Sequence, residues 1–240
     1  MTVGFSDCFA NLDRSTWCSH QWWESVPPLD SQSVDANGVL HLTRRALEGF
    51  ANTTISTEPC GQANPHSYQY GYFEARMRWD AAQGNGPAFW LFSTRHATNP
   101  NWPSVNAYCA NNGLPVAQCL SAELDAFEGY GSHPDVFTGT IHRNSCGCYG
   151  VGDSQTGNNW QPQGGNIASD WHTYAVLWTP TLITWYLDGS PVMSDPPYDS
   201  TPQPMHLLFY NWTTDWQDDN LPGPVATLDT QVDWIRVWQQ

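Results

Sequence analysis

The sequence predicts an all-β fold built as a sandwich or a barrel, and three observations predict it. Runs of alternating, β-branched and aromatic residues recur between clusters of Gly, Pro, Asn and Asp. No window carries an apolar period of 3.6 residues beyond one turn, so we expect helices to be few and short. The spacing of the runs is typical of sheets that stack on each other or close on themselves.

Nine runs predict strands. In chain order they are GVLHLTRR, YGYFEARMRW, PAFWLFST, ELDAFEGY, VFTGTIHR, HTYAVLWT, LITWYLDG, MHLLFYNW and VDWIRVWQ. Asn37-Gly38 begins the first run and Asp188-Gly189 ends the seventh, and both pairs are turn signals that predict hairpins. The polar segment 94–118 separates the third run from the fourth, and we expect it to form one wall of a cleft.

The length of the chain predicts one domain. A chain of 240 residues that is 40% hydrophobic buries one substantial core, so we expect a single domain over residues 1–240. No stretch approaches the roughly 18 consecutive apolar residues of a membrane-spanning helix. The first residues lack the basic-then-apolar pattern of a signal peptide. We expect a soluble monomer.

The charge balance limits the classes of molecule that the protein is expected to bind. Against 23 acidic residues there are 8 basic ones, all arginine, and the formal net charge of -15 repels phosphate backbones and anionic lipid surfaces. Nucleic acid and membranes are therefore excluded as expected partners. The 14 tryptophans exceed ordinary packing needs, and flat apolar rings stack well on the C–H faces of sugars. We expect a polysaccharide partner.

The seven cysteines indicate an oxidising compartment. The pairs Cys8/Cys18 and Cys109/Cys119 each enclose a short loop that a disulfide would close, and one cysteine must stay free. Cys146-Gly-Cys148 has no second ligand pair at the spacing of a zinc site. We expect a secreted or extracellular protein.

The segment ELDAFE carries the chemistry. Side chains alternate along a strand, so Glu123 and Asp125 share one face and Glu128 is out of phase. One extra residue in a β-bulge near Ala126 or Phe127 would return Glu128 to that face. Side chains leaning inward would then bring the two glutamate carboxyls to about 5–6 Å, and retaining glycosidases hold this pair about 5–5.5 Å apart.

Crowding of the three acids also separates their protonation states. Like charges at close range raise at least one pKa and keep one carboxyl protonated near neutral pH, while another ionises and attacks. A solvated acidic strand face and a calcium site are the two non-catalytic interpretations of the same cluster.

These residues resemble glycoside hydrolase family 16, whose mark is E-[hydrophobic]-D-x-x-E on a bulged strand, and the similar runs extend nearly from end to end. The resemblance implies a jelly-roll β-sandwich of two antiparallel sheets, similar to concanavalin A, with the catalytic cleft on the concave face. It implies a retaining glycoside hydrolase domain that needs no cofactor for catalysis. Glu123 would be the nucleophile, Glu128 the general acid/base, and Asp125 the neighbour that orients the nucleophile.

The same resemblance places further residues. Trp90 and His142 would lie near the sugar at the cleavage point, and Asp233 would be one ligand of a structural calcium. Trp212 and Trp216 follow the run LLFYN and are further candidates for stacking on sugars.

The expected substrate is a β-linked polysaccharide, with β-1,3-glucan as the first choice. Gly86-Pro87-Ala88 stands where many laminarin-cleaving members have Trp-Pro-Ala, and NWTTDWQDDNLPG replaces a glycine-rich loop. Both departures also allow a galactan such as agar, carrageenan or β-galactan. The same residues would also suit a transglycosylase or a sugar-binding lectin. The extra residue in the motif argues against the lichenase and xyloglucan branches.

Overall fold

The computed structural model describes eleven parts of the chain: residues 1–21, 23–28, 30–49, 51–58, 60, 66–93, 121–144, 154–160, 165–197, 203–213 and 227–239. Fourteen strands and one 3-10 turn, Ala46–Glu48, lie within them. The strands are β1 Thr2–Asp7, β2 Gln32–Val34, β3 Leu40–Arg45, β4 Thr53–Ser56, β5 Gly71–Trp79, β6 Gly86–Ser93, β7 Ser121–Tyr130, β8 His133–Asn144, β9 Ser154–Trp160, β10 His172–Trp178, β11 Ile183–Leu187, β12 Ser190–Asp195, β13 Met205–Trp212 and β14 Thr227–Gln239.

The strands form two antiparallel sheets. The larger sheet has eight strands in the order β12-β11-β10-β5-β14-β3-β2, with β1 paired to β14 beyond the end of β3. The smaller sheet has six strands in the order β4-β13-β6-β7-β8-β9. The prediction of an all-β sandwich is confirmed. No helix in the described parts of the chain is long and apolar enough to cross a membrane.

The core lies between the two sheets and is built by alternation. Along β5, Phe73, Ala75, Met77 and Trp79 are buried, while the residues between them are partly exposed. The smaller sheet contributes its own inward residues to the same cluster, among them Phe89, Leu91, Leu124, Phe127, Phe137 and Ile141. Burying one large apolar side chain contributes about 1.5–3 kcal/mol. A slip of one residue in strand pairing would move all the apolar side chains of a strand to the other face, so their combined burial fixes the pairing register.

All nine predicted strands form, and five more strands occur that the sequence patterns did not predict. Four of these, β2, β4, β9 and β12, are the outermost strands of the two sheets, and β1 pairs with β14 alone. Edge strands pair on one side only, and these four carry few apolar residues in alternation. The sequence therefore predicted the sheet centres better than the edges.

Both predicted hairpins are confirmed. Asp188 and Gly189 have φ angles of 49° and 74°, and two positive φ values are what the tight turn between β11 and β12 requires. Gly38, with a φ of 80°, donates its N–H to the carbonyl of Asp35 at 3.1 Å and closes the turn between β2 and β3.

The predicted Cys8–Cys18 bridge is wrong, because Cys18 is bonded to Cys60 and Cys8 is free and exposed. Cys18 and Ser56 exchange two backbone hydrogen bonds of 2.7 and 3.2 Å, which hold the Cys18 segment beside β4 and the residues that follow it. The prediction relied on the short separation of Cys8 and Cys18 in sequence. The structure shows instead that strand pairing between distant segments decides which thiols lie close together. The Cys109/Cys119 pair, Cys146, Cys148 and the predicted cleft wall 94–118 lie outside the described residues.

The disulfide should contribute measurably to stability. It closes a sequence separation of 42 residues, and loops of this size give a constraint of about 3–4 kcal/mol on the unfolded chain. Replacing Cys18 and Cys60 together with serine should lower the free energy of unfolding by about that amount in urea titrations. Cys8→Ser is the matched control and should stay within about 0.5 kcal/mol of the parent. Equal stability of the double variant and the parent would refute the assignment.

Candidate active site

The strand that carries the three acids contains the predicted bulge. On β6, the neighbours Phe89 and Trp90 face Phe127 and Asp125, so Ala126 has no partner there. On the other side, Asp125 faces Thr140 and Glu128 faces Thr138. Between these two pairs, β7 therefore contains one residue more than β8. Ala126 and Phe127 are adjacent in sequence yet both fully buried. The one-residue bulge is confirmed.

The bulge brings the three acids to one face of the smaller sheet, the face turned away from the sandwich core, which we call the catalytic face. Each acid lies between one residue of β8 and one residue of β6. The three rows are His142–Glu123–Phe92, Thr140–Asp125–Trp90 and Thr138–Glu128–Ala88. His142, predicted to lie near the sugar, is thus the direct cross-strand neighbour of Glu123.

Short contacts join the acids to β8. Asp125 Oδ2 lies 3.3 Å from His142 Nε2, and Asp125 is 2% exposed. Thr140 donates its hydroxyl to Glu128 Oε2 at 3.3 Å. One ligand atom each from Glu123, Asp125 and His142 lies within 4.8 Å of the other two. Glu123 and His142 are half-buried, so the cluster opens to solvent at that end.

Burial keeps two of the three acids, Asp125 and Glu128, protonated at neutral pH. Burial raises the pKa of Asp125 to about 8. Burial also raises the pKa of Glu128 to about 8, and the negative charge of Asp125 adds to the effect, whereas His142 and the Thr140 hydroxyl oppose it. A carboxyl with a pKa near 8 stays protonated at neutral pH and is ready to donate a proton. The predicted crowding of like charges thus contributes to the raised pKa of Glu128, although burial is the larger cause.

Trp90 lies on the catalytic face but is only 6% exposed. It belongs to a cluster with Ala88, Phe92 and Leu208 that is separate from the core between the sheets. Its ring centroid lies 6.0 Å from that of Tyr210. Trp90 therefore forms the floor of the site beneath Asp125 and offers little area for stacking.

Trp212 continues the catalytic face on β13. It is partly exposed and lies parallel to Tyr210, with ring centroids 5.9 Å apart and an interplanar angle of 4°. Gly86 is its partner on β6, and a Cβ there would come within 3.1 Å of the indole. Stacking of Trp212 on a sugar stays a prediction. Trp216 lies outside the described residues.

The structure adds Trp23, which the sequence patterns did not single out. Trp23 is 46% exposed, and its ring meets that of Phe92 edge-on at 5.6 Å. Its segment follows Cys18, which the disulfide and the pairing with Ser56 fix beside β4. The only signal in the sequence was a pair of tryptophans in a loop just before two prolines, and it says nothing of which sheet the loop covers.

The structure places Asp233, the expected calcium ligand, against an arginine side chain. Asp233 lies at a bulge of β14 and forms an ion pair with Arg76 of β5. Within the described parts of the chain, the one group of three acidic or histidine side chains close enough to share an ion is Glu123, Asp125 and His142. Metal ligands must be deprotonated, and the raised pKa of Asp125 disfavours that. Calcium at Asp233 stays a prediction.

Comparisons with known proteins agree on one family. The family model "Beta-porphyranase A-D, GH16 domain" matches residues 2–240. The "Beta-glucanase" of Rhodothermus marinus is 31% identical over 187 residues, which cover 71% of this chain and 57% of that protein. The chain thus spans little more than half the length of this curated relative.

Two solved structures show the same fold. The laminarinase catalytic domain of Thermotoga maritima matches with a TM-score of 0.72 at 18% identity, covering 100% of this chain and 98% of that one. Porphyranase B of Zobellia galactanivorans matches with a TM-score of 0.71 at 20% identity, covering 98% and 90%. The jelly-roll sandwich is thereby confirmed.

The protonation of Glu128 can be measured without any substrate. Carboxyl carbon NMR on glutamate-labelled protein should show Glu128 titrating with a pKa of about 8. Asp125 ionises over the same pH range, so Asp125→Asn removes its negative charge during the titration and should lower the Glu128 pKa. Glu74→Gln, on the outer face of the other sheet, is the control and should leave it unchanged. An unchanged Glu128 titration in Asp125→Asn would contradict the coupling.

Proposed function

The chain belongs to glycoside hydrolase family 16, and from that premise we propose that it is a retaining endo-hydrolase of a neutral β-linked glycan, with β-1,3-glucan as the first choice. The observation that carries the proposal is the bulged strand, which sets Glu123, Asp125 and Glu128 on one face. Retention of the anomeric configuration needs a nucleophile and a proton donor close to the scissile bond on opposite sides. The nucleophile must reach the anomeric carbon directly, with no water molecule between them.

In the first step, Glu128 donates its proton to the glycosidic oxygen while the Glu123 carboxylate attacks the anomeric carbon. The bond to the leaving sugar breaks and a covalent glycosyl-enzyme forms. In the second step, the ionised Glu128 takes a proton from water, the water oxygen attacks the anomeric carbon, and Glu123 leaves. Each proton that Glu128 gives is thus recovered.

Asp125 and His142 support these steps. Protonated Asp125 is a neutral neighbour of Glu123, so it does not repel the electrons that the nucleophile shares with the sugar. His142 lies 3.3 Å from Asp125 and beside Glu123, where its ring can orient both. We assign the pair a role in holding the nucleophile, and no cofactor takes part.

Charge supports a neutral glycan. The formal net charge of -15 opposes the approach of a sulfated polymer, because like charges raise the cost of association. The aromatic residues Trp23 and Trp212 supply flat apolar faces for uncharged pyranose rings. The glucanase from Rhodothermus marinus is similar over most of the chain, which also favours glucan.

A galactan is the second candidate. The porphyranase model matches almost the whole chain, and Gly86-Pro87-Ala88 begins β6 without the tryptophan that many laminarin-cleaving relatives carry. Reducing-end release from laminarin, mixed-linkage glucan, agarose, carrageenan and arabinogalactan separates these substrates. Longer products would identify a transglycosylase, and binding without release would identify a lectin.

We propose that the protein acts outside the cytoplasm. The Cys18–Cys60 disulfide supports this, because such bonds persist in oxidising compartments.

Removing the nucleophile provides the direct test. Glu123→Gln keeps the shape of the side chain but cannot form the glycosyl-enzyme, so kcat should fall by about a thousandfold or more on the substrate that the parent cleaves. Binding of the same glycan, measured by calorimetry, should persist. Glu74→Gln is the matched control and should retain the parental rate. Cleavage by Glu123→Gln at the parental rate would show that the nucleophile is elsewhere.

Trp23 should act through binding of long chains. Trp23→Ala removes an exposed ring at the end of the catalytic face, and we expect KM for long oligosaccharides to rise about fivefold to thirtyfold, with kcat nearly unchanged. Short oligosaccharides that do not reach the ring should show no change. Leu182→Ala, at an exposed residue before β11 of the other sheet, is the control. An equal effect on short and long substrates would contradict a separate subsite.

A further inference from the structure

The inner side of the bulge meets a tryptophan from the opposite sheet. Gly139 on β8 lies between Thr138 and Thr140, so it faces the step of β7 that holds the extra residue. A Cβ on Gly139 would come within 2.4 Å of Cδ1 and Nε1 of Trp185, which belongs to β11 of the larger sheet. The indole therefore occupies the space that any side chain at residue 139 would fill.

The indole also makes a polar contact at the bulge. Trp185 is 0% exposed, and its Nε1–H donates to the backbone carbonyl of Asp125 at 2.7 Å. A bulge disrupts the ladder of backbone hydrogen bonds, and a buried carbonyl needs a donor. The indole supplies that donor from across the core, at the residue that precedes the extra position.

We propose that Trp185 is a positioning residue that holds the bulge of β7 and thereby keeps Glu128 on the catalytic face. This rests on the proposed function, in which Glu128 is the general acid/base. If β7 ran through these residues as a regular strand, without the bulge, its alternation would turn Glu128 toward the core. Gly139 is the second part of the device, because it leaves room for the indole.

Burial alone does not explain the contact. Trp178 on β10 is also a core tryptophan of the larger sheet and is 1% exposed. Its Nε1 has no hydrogen-bond partner within the described residues, whereas that of Trp185 is aimed at the bulge. The two residues differ in what their N–H meets, which makes Trp178 a matched control.

The bulge has apolar support that a variant would keep. Phe127 stacks on Tyr174 of β10 with ring centroids 3.9 Å apart, and it also contacts Phe137. A phenylalanine at residue 185 keeps an aromatic ring in the core and removes the N–H. We therefore expect Trp185→Phe to fold, with the strand able to shift at the bulge.

The experiment compares Trp185→Phe with Trp178→Phe. Trp185→Phe should lower kcat by about tenfold or more, which corresponds to one buried hydrogen bond, with KM within about twofold of the parent. The alkaline limb of the kcat/KM profile should move to higher pH, because a Glu128 side chain turned toward the core is further removed from water and its pKa rises above about 8. Trp178→Phe should cost similar stability and move neither quantity.

Gly139→Ala provides the second variant. Its methyl group pushes against the indole, so kcat and the alkaline limb should shift in the same direction as in Trp185→Phe. If folded Trp185→Phe and Gly139→Ala both keep the parental kcat and pH profile, the positioning role is wrong. A uniform loss in Trp178→Phe as well would overturn it too, because the effect would then be one of general packing.

A readout without substrate separates this inference from the proposed function. If the parent cleaves no glycan in the panel, the proposed function fails, and the Glu128 titration by carboxyl NMR still decides the role of Trp185. We expect a raised Glu128 pKa and faster amide exchange over residues 125–128 in Trp185→Phe, compared with Trp178→Phe. Unchanged titration and exchange would overturn the positioning role.

Discussion

The extra residue in β7 is the constraint on which the site depends. A regular strand gives Glu123 and Asp125 one face and Glu128 the other, because side chains alternate. With Ala126 and Phe127 both turned inward, the count shifts by one and Glu128 joins the other acids. The pairing of β7 with β6 shifts at this step alone, and its pairing with β8 shifts again only past Gly129. The irregularity between Asp125 and Glu128 therefore converts an acidic strand into a candidate catalytic centre.

The surroundings of the bulge serve two purposes at once. The inward side is packed by Phe127 and Tyr174 and by the indole that fills the space at Gly139. The outward side rests on the apolar floor around Trp90, which removes water from Asp125 and Glu128. The low polarity that disfavours two ionised carboxyls is also what keeps a proton available at neutral pH. Stability and proton donation are therefore set by the same packing.

Sequence patterns predicted the features that depend on neighbouring residues and missed those that depend on residues far apart in the chain. Central strands such as β5 carry strong alternation because one face packs on the core and the other faces outward, whereas edge strands such as β9 and β12 carry little. The acid motif was readable because its spacing of two and three residues is anomalous for a strand. The Cys18–Cys60 bridge and the place of Trp23 were not readable, because both depend on a loop lying against β4 and β6 far along the chain.

The sequence by itself determined the all-β class, the central strands, both hairpins and the need for a bulge between Asp125 and Glu128. Each of these features depends on residues that are close together in sequence, through the alternation of apolar residues and the conformational preferences of turn residues. Only the tertiary structure decided which cysteines pair, that an arginine neutralises Asp233, and that Trp185 reaches the bulge from the other sheet. Those contacts join residues far apart in the chain, so the packing of the two sheets determines them and no local pattern records them.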